Sequence, residues 1–204
     1  MHKRYALVVL LLLVTGISTE KLGVCQPEQG KADGASQYRL LATNKTSTAQ
    51  KEMNETADVG FRFEGVMGGE TSFGGSEVVV IMGKPAEAAR ESRYQYLLLA
   101  TSKTSTMQKE MQQAGDEGFE YRGQTVFDTS FGGQETVVIL ERDRTMPSPP
   151  HFEYRLLATK RTSTMQKEIQ EAADQGFKFV GVTVSKTKFA GVEVITIMRR
   201  VAAP

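Results

Sequence analysis

YRLLATNKTSTAQKE, residues 38–52, returns as YLLLATSKTSTMQKE at 96–110 and as YRLLATKRTSTMQKE at 154–168. The leading residues Tyr38, Tyr96 and Tyr154 are spaced by 58 residues in both steps. Phe61, Phe119 and Phe177 keep the same step, as do Phe73, Phe131 and Phe189, and Glu77, Glu135 and Glu193, without a gap. Self-similarity at one fixed period marks a tandem array of a single supersecondary unit. Three units are expected, at 38–84, 94–142 and 152–200. GKPAEAARESR (83–93) and DRTMPSPPHF (143–152) between them carry the proline and charge of linkers.

Each unit opens on an apolar, β-competent stretch such as Tyr38–Thr43 and then reaches a hydroxyl-rich break. Ser47, Ser105 and Ser163 are followed three residues later by Gln50, Gln108 and Gln166, the spacing of a capping box with the serine as N-cap. Beyond it, Ala49, Met53, Thr56 and Ala57 recur at helical spacing, as do Met107, Met111, Ala114 and Gly115, and Met165, Ile169, Ala172 and Ala173. Gly60, Gly118 and Gly176 end the helix at the position where a left-handed turn favours glycine. Phe61-Arg62-Phe63 then opens a second strand, Gly74-Gly75 a turn, and Val78–Met82 a third strand, giving β-α-β-β. In the last strand Val79 and Ile81, Val137 and Ile139, and Ile195 and Ile197 share one face, and the alternate positions are also largely apolar. One helix covers one face of a sheet, so the other must pack on a sibling unit or a partner. At 47 residues a unit alone is marginal, which also favours mutual packing. The expected fold is α+β: three tandem βαββ units, each a small, mainly antiparallel sheet with one helix on one face, packed against each other.

This order of a tyrosine-led strand, an amphipathic helix, Gly60-Phe61 and a glycine-rich hairpin ending in an aliphatic strand resembles small bacterial βαββ domains of unknown function. The resemblance covers 38–84, 94–142 and 152–200 and implies no established active site.

Ahead of the array, Met1-His2-Lys3-Arg4 and the apolar run Tyr5–Val14 read as a signal peptide, too short to span a bilayer comfortably. Residues 1–25 are assigned to it, with Gly16-Ile17-Ser18 as one cleavage candidate, and 26–37 (QPEQGKADGASQ) to a flexible tether. Leu22-Gly23-Val24-Cys25 resembles the bacterial lipobox, which implies lipidation of Cys25 as an alternative to plain cleavage. The chain is thus expected in the periplasm or outside the cell, or lipid-anchored to the envelope.

The 204 residues carry 25 Lys+Arg against 24 Asp+Glu, so the basic excess of a general nucleic-acid binder is missing. A single cysteine excludes an intramolecular disulfide framework and a cysteine-based zinc site. The two histidines, His2 and His151, do not form a metal pair, and His151 falls in a linker. Glu52, Glu110 and Glu168, and Asp58, Asp116 and Asp174, could meet as threefold carboxylates, but no nucleophile or histidine accompanies them. No copy shows a distinctive charged residue to mark an interface as catalytic. Phe73, Phe131 and Phe189 read as core or hairpin positions, with exposed recognition aromatics as the alternative.

The remaining candidate site is the strand-to-helix junction, where free backbone N–H groups, hydroxyls and a cation could hold an anion. It comprises Lys45, Thr46, Ser47 and Lys51, with Lys103, Thr104, Ser105 and Lys109, and Arg161, Thr162, Ser163 and Lys167 in the later copies. The reading is a non-catalytic exported binding or scaffolding protein; the alternatives are small-molecule or anion binding at the helix starts, and an enzyme. No cofactor is implied. The expected partner is a protein, or a second copy through sheet faces or edges, with membrane contact only through the leader or a lipid.

Overall fold

The computed structural model describes residues 36–71, 75–86, 93–129, 133–187 and 191–203. The signal peptide, Cys25 and the aromatics Phe73, Phe131 and Phe189 lie outside the described residues. The array consists of β1 (Gln37–Thr43), α1 (Thr46–Ala57), β2 (Arg62–Thr71) and β3 (Gly75–Lys84), then β4 (Tyr94–Thr101), α2 (Thr104–Asp116), β5 (Glu120–Thr129) and β6 (Gly133–Asp143). It ends with β7 (Phe152–Thr159), α3 (Thr162–Asp174), β8 (Lys178–Thr187) and β9 (Gly191–Val201). These are three βαββ units of the α+β class. Each sheet is antiparallel with the last strand in the centre: β1-β3-β2, β4-β6-β5 and β7-β9-β8. The central strand pairs on both sides, which is why it carries the longest aliphatic run.

Local chemistry explains the element ends. Thr43 Oγ1 accepts the N–H of Lys45 at 3.2 Å, and Thr101 and Thr159 do the same for Lys103 and Arg161. That turn starts the helix earlier than expected. Lys45, Lys103 and Arg161 are the N-cap residues, with no side-chain cap hydrogen bond. The capping-box reading of Ser47, Ser105 and Ser163 is therefore corrected: each is the second residue of its helix. Gln50 and Gln108 reach a neighbouring strand instead of closing a box. At the other end Gly60, Gly118 and Gly176 turn left-handed, with φ of 90°, 83° and 84°. Lys84, Arg142 and Arg200, at the ends of the central strands, donate to helix-end carbonyls and lie over the rings of Phe61, Phe119 and Phe177.

The units share their cores. Val78, Val80 and Met82 face α1, and the layer is completed by Tyr96, Leu98, Val137 and Ile139 of the second unit. Val138 and Leu140 face α2, and Phe152, Tyr154 and Ile197 of the third unit complete that layer. A bulge between Phe63 and Gly65 is repeated at Tyr121/Gly123 and Phe179/Gly181, and in the first two units the bulged strand brings its aromatic onto the next unit. Phe63 covers Gly123, where a Cβ would lie 3.0 Å from its ring, and Tyr121 covers Gly181. The third core is smaller: among the described residues it buries Ala172, Phe177 and Met198, with Leu157 and Ile169 packed against them.

Candidate functional site

The three expected anion sites stand apart, one at the start of each helix. Thr46 and Ser47 open on a cleft with Leu98, Leu99 and Ala100 of the second unit, whereas Lys103 and Thr104 lie beside Leu156, Ile195 and Ile197 of the third. The space at that second start is about 10 Å³, the room of one water. Lys51 and Lys167 pair with Glu55 and Glu171 at 3.7 Å on exposed helix faces, and Lys109 is exposed. Ser47, Ser105, Thr162 and Ser163 are exposed as well. Asp58 pairs with Arg144, and Asp116 and Asp174 accept from Gln112 and Gln170. Among the described residues no three His, Cys, Asp or Glu side chains come together as a metal site. His151 is exposed, its Nδ1 against the Asp116 carbonyl.

The polar chemistry lies instead at the junctions between units. The helices α1 and α2 each hold the edge of the following sheet with side-chain amides. Gln50 Oε1 accepts from Leu98 N–H at 2.9 Å, while Asn54 accepts from Tyr96 N–H at 2.9 Å and donates to the Tyr96 carbonyl at 3.0 Å. One unit later Gln108 accepts from Leu156 N–H and donates to the Tyr154 carbonyl, and Gln112 accepts from Tyr154 N–H. An otherwise open strand edge is thereby closed without another strand. The phenol of the held tyrosine reaches back: Phe63 N–H donates to Tyr96 Oη at 2.8 Å, and Tyr121 N–H to Tyr154 Oη at 2.7 Å.

A buried carboxylate completes the first junction. Glu141, 4% exposed, receives Arg62 at 2.8 Å and the Tyr96 hydroxyl at 2.7 Å, with Arg122 at 3.6 Å. Burial, then the Glu141 charge, raises the Tyr96 phenol well above its ordinary range. The Glu141 hydrogen bond raises Arg62 against the cost of burial, so its charge is fixed. At the second junction the pair is reversed in sign: Arg199 meets Glu120 at 2.6 Å. Burial raises Tyr154 likewise, and Tyr121 to about 12. In register, positions 62, 120 and 178 read Arg, Glu and Lys, and positions 83, 141 and 199 read Gly, Glu and Arg. The expectation that no copy carries a distinctive interfacial charge is overturned by Glu141. The signal was present in the repeat alignment as a charge swap, invisible until the two positions were known to touch.

Beside this network lies a cavity of about 200 Å³, lined by Arg62, Arg93, Tyr94, Glu120, Glu141 and Asp143 among others. Its charges neutralise one another: Arg62 with Glu141, Arg93 with Asp143 at 2.7 Å, and Glu120 with Arg199. Burial acts to raise the Asp143 carboxyl, but hydrogen bonds from Arg93 and Thr145 outweigh it and hold the group below its ordinary value. Arg62–Glu141 and Arg199–Glu120 pair across the junctions, and Arg93–Asp143 pairs within the second unit. Comparison with known proteins gives no match to this chain, whether with family models, curated proteins or solved structures.

Proposed function

We propose that the protein is a non-catalytic, exported scaffolding or binding module that acts in the cell envelope or outside the cell. The observation that carries this reading is the contrast between the junctions and the ends. Junction charges are consumed in pairs, while the two ends of the array present apolar surface: Tyr38 and Leu40 at one, Phe179, Val182 and Val184 at the other, each more than half exposed. Contiguous exposed apolar surface is the mark of a protein-binding face. Export is supported by the basic-then-apolar order of residues 1–14. A second reading, anion binding, draws on helix starts whose first-turn N–H groups receive no side-chain cap.

Thermal unfolding against a panel of inorganic anions, nucleotides, sugars and cell-wall fragments separates the two. A ligand at one hundred times its Kd stabilises by about 2.7 kcal/mol. The scaffold reading expects no shift across the panel. A shift that is lost when Lys51, Lys109 and Lys167 are replaced by Gln would overturn it in favour of the helix starts.

A further inference from the structure

The two internal junctions use one geometry, and among the described residues the first and third units each leave half of that geometry exposed. From this we infer that copies of the chain join head to tail, the third unit of one docking on the first unit of the next as adjacent units dock within a chain. This deepens the scaffold reading and rests on it for its biological use.

At the leading end, the residues that a preceding unit would cover lie open. Tyr38, Leu40 and Ile81 are 68%, 66% and 42% exposed, whereas the equivalents Tyr96, Leu98 and Ile139 are 1%, 9% and 0% exposed beneath the first unit. At the trailing end, Phe179 is 55% exposed, and its equivalent Phe63, seated on the second unit, is 6% exposed. Gln166 and Gln170 are exposed where Gln50 and Asn54 hold a strand edge. The fit between the ends extends to single atoms. Phe63 fills the space over Gly123 and Tyr121 that over Gly181, but Gly65, the same position in the first unit, has nothing within 4 Å of where a Cβ would stand. One further repeat step places Phe179 of one copy on Gly65 of the next. The same step sets the Phe179 N–H at the Tyr38 hydroxyl, and Gln166 and Gln170 along the β1 edge.

Charge follows the same step. Lys178 takes the place of Arg62 and Glu120, and it faces position 83, a glycine. A Cβ on Gly83 would lie 2.8 Å from Glu64 Oε1, so a carboxylate from the neighbouring strand stands where the first junction has Glu141. Lys178 and Glu64 are both exposed, and of opposite sign. The contact is heterologous: one end meets the other, never itself, and it produces rings or filaments according to whether the rotation closes.

Sedimentation of the purified full chain across a micromolar concentration series tests this. Mass should rise in whole-chain steps. Leu40→Asp and Phe179→Asp, both at exposed positions, should each leave a monomer with unchanged circular dichroism. Mixed one to one, those two variants should give a dimer and nothing larger, because one retains the trailing face and the other the leading face. Lys178→Glu should weaken association by about tenfold or more, and adding Glu64→Lys to the same chain should restore it. A wild type that stays monomeric overturns the inference, as does association that survives in either Asp variant alone or a mixture that remains monomeric. A monomer with a flat ligand panel would still leave the scaffold reading standing with a foreign partner, whereas a ligand shift with intact assembly would count against that reading alone.

Discussion

Position 124 shows how one residue departs from its own repeat. Val66 and Val182 stand at the same place in the other units, but here it is glutamine, and both its amide atoms are buried without a hydrogen-bond partner. Burying an amide unpaired costs about 1–3 kcal/mol. Gln124→Val should therefore stabilise the protein by about 1–2 kcal/mol, a rise of about 2–4 °C in Tm per kcal/mol for a chain this size. Thermal unfolding checks it; an unchanged or lower Tm would mean that the amide is satisfied. The chemical identity of such residues was legible from the repeat alignment, but their burial was not. The same holds for Glu141, whose partner Arg62 lies 79 residues away, so no local pattern ties the two. The lysines of the helix starts are conspicuous in their spacing for the converse reason, a local one, and their side chains extend into solvent.

At the scale of elements, the helix does two jobs. Its apolar stripe of Ala49, Met53 and Ala57 packs in the shared core, and its amides at Gln50 and Asn54 hold the next sheet's edge. The stripe was legible because 3.6-residue periodicity is local. In sequence Gln50 reads as a capping residue, because a Ser-x-x-Gln pattern looks alike in either role and only the neighbouring strand distinguishes them. Gln108→Met keeps the volume but leaves the Leu156 N–H and the Tyr154 carbonyl unpaired at a half-buried edge. It should destabilise by about 1–3 kcal/mol, whereas Gln166→Met on exposed α3 should be close to neutral in the monomer. Urea unfolding at low protein concentration makes the comparison; equal effects at the two sites would refute the edge-holding role.

For the whole molecule, stability resides as much between units as within them. Val137 and Ile139 are fully buried on the first unit, and Val138 and Leu140 on their own helix, so the second unit is sandwiched. Solenoid-like arrays behave this way, intrinsic unit stability being supplemented by nearest-neighbour interfaces. The second unit alone, residues 91–145, should unfold at a lower temperature than the chain, since it would expose the face that Phe63 and Met53 cover. Equal melting temperatures for the isolated unit and the intact array would show that the interfaces add nothing.

The number of units, their β-α-β-β order, the glycine-ended helices and the need for a second covering layer were legible before folding, because each follows from periodicity or from one residue's backbone preference. Only the packed chain shows that the last strand is central, that α1 and α2 hold the next unit's sheet, and that charges 79 residues apart pair across the junctions. Those outcomes depend on which surfaces meet, and surfaces meet through the summed burial of many residues, a quantity that no single window of the chain contains.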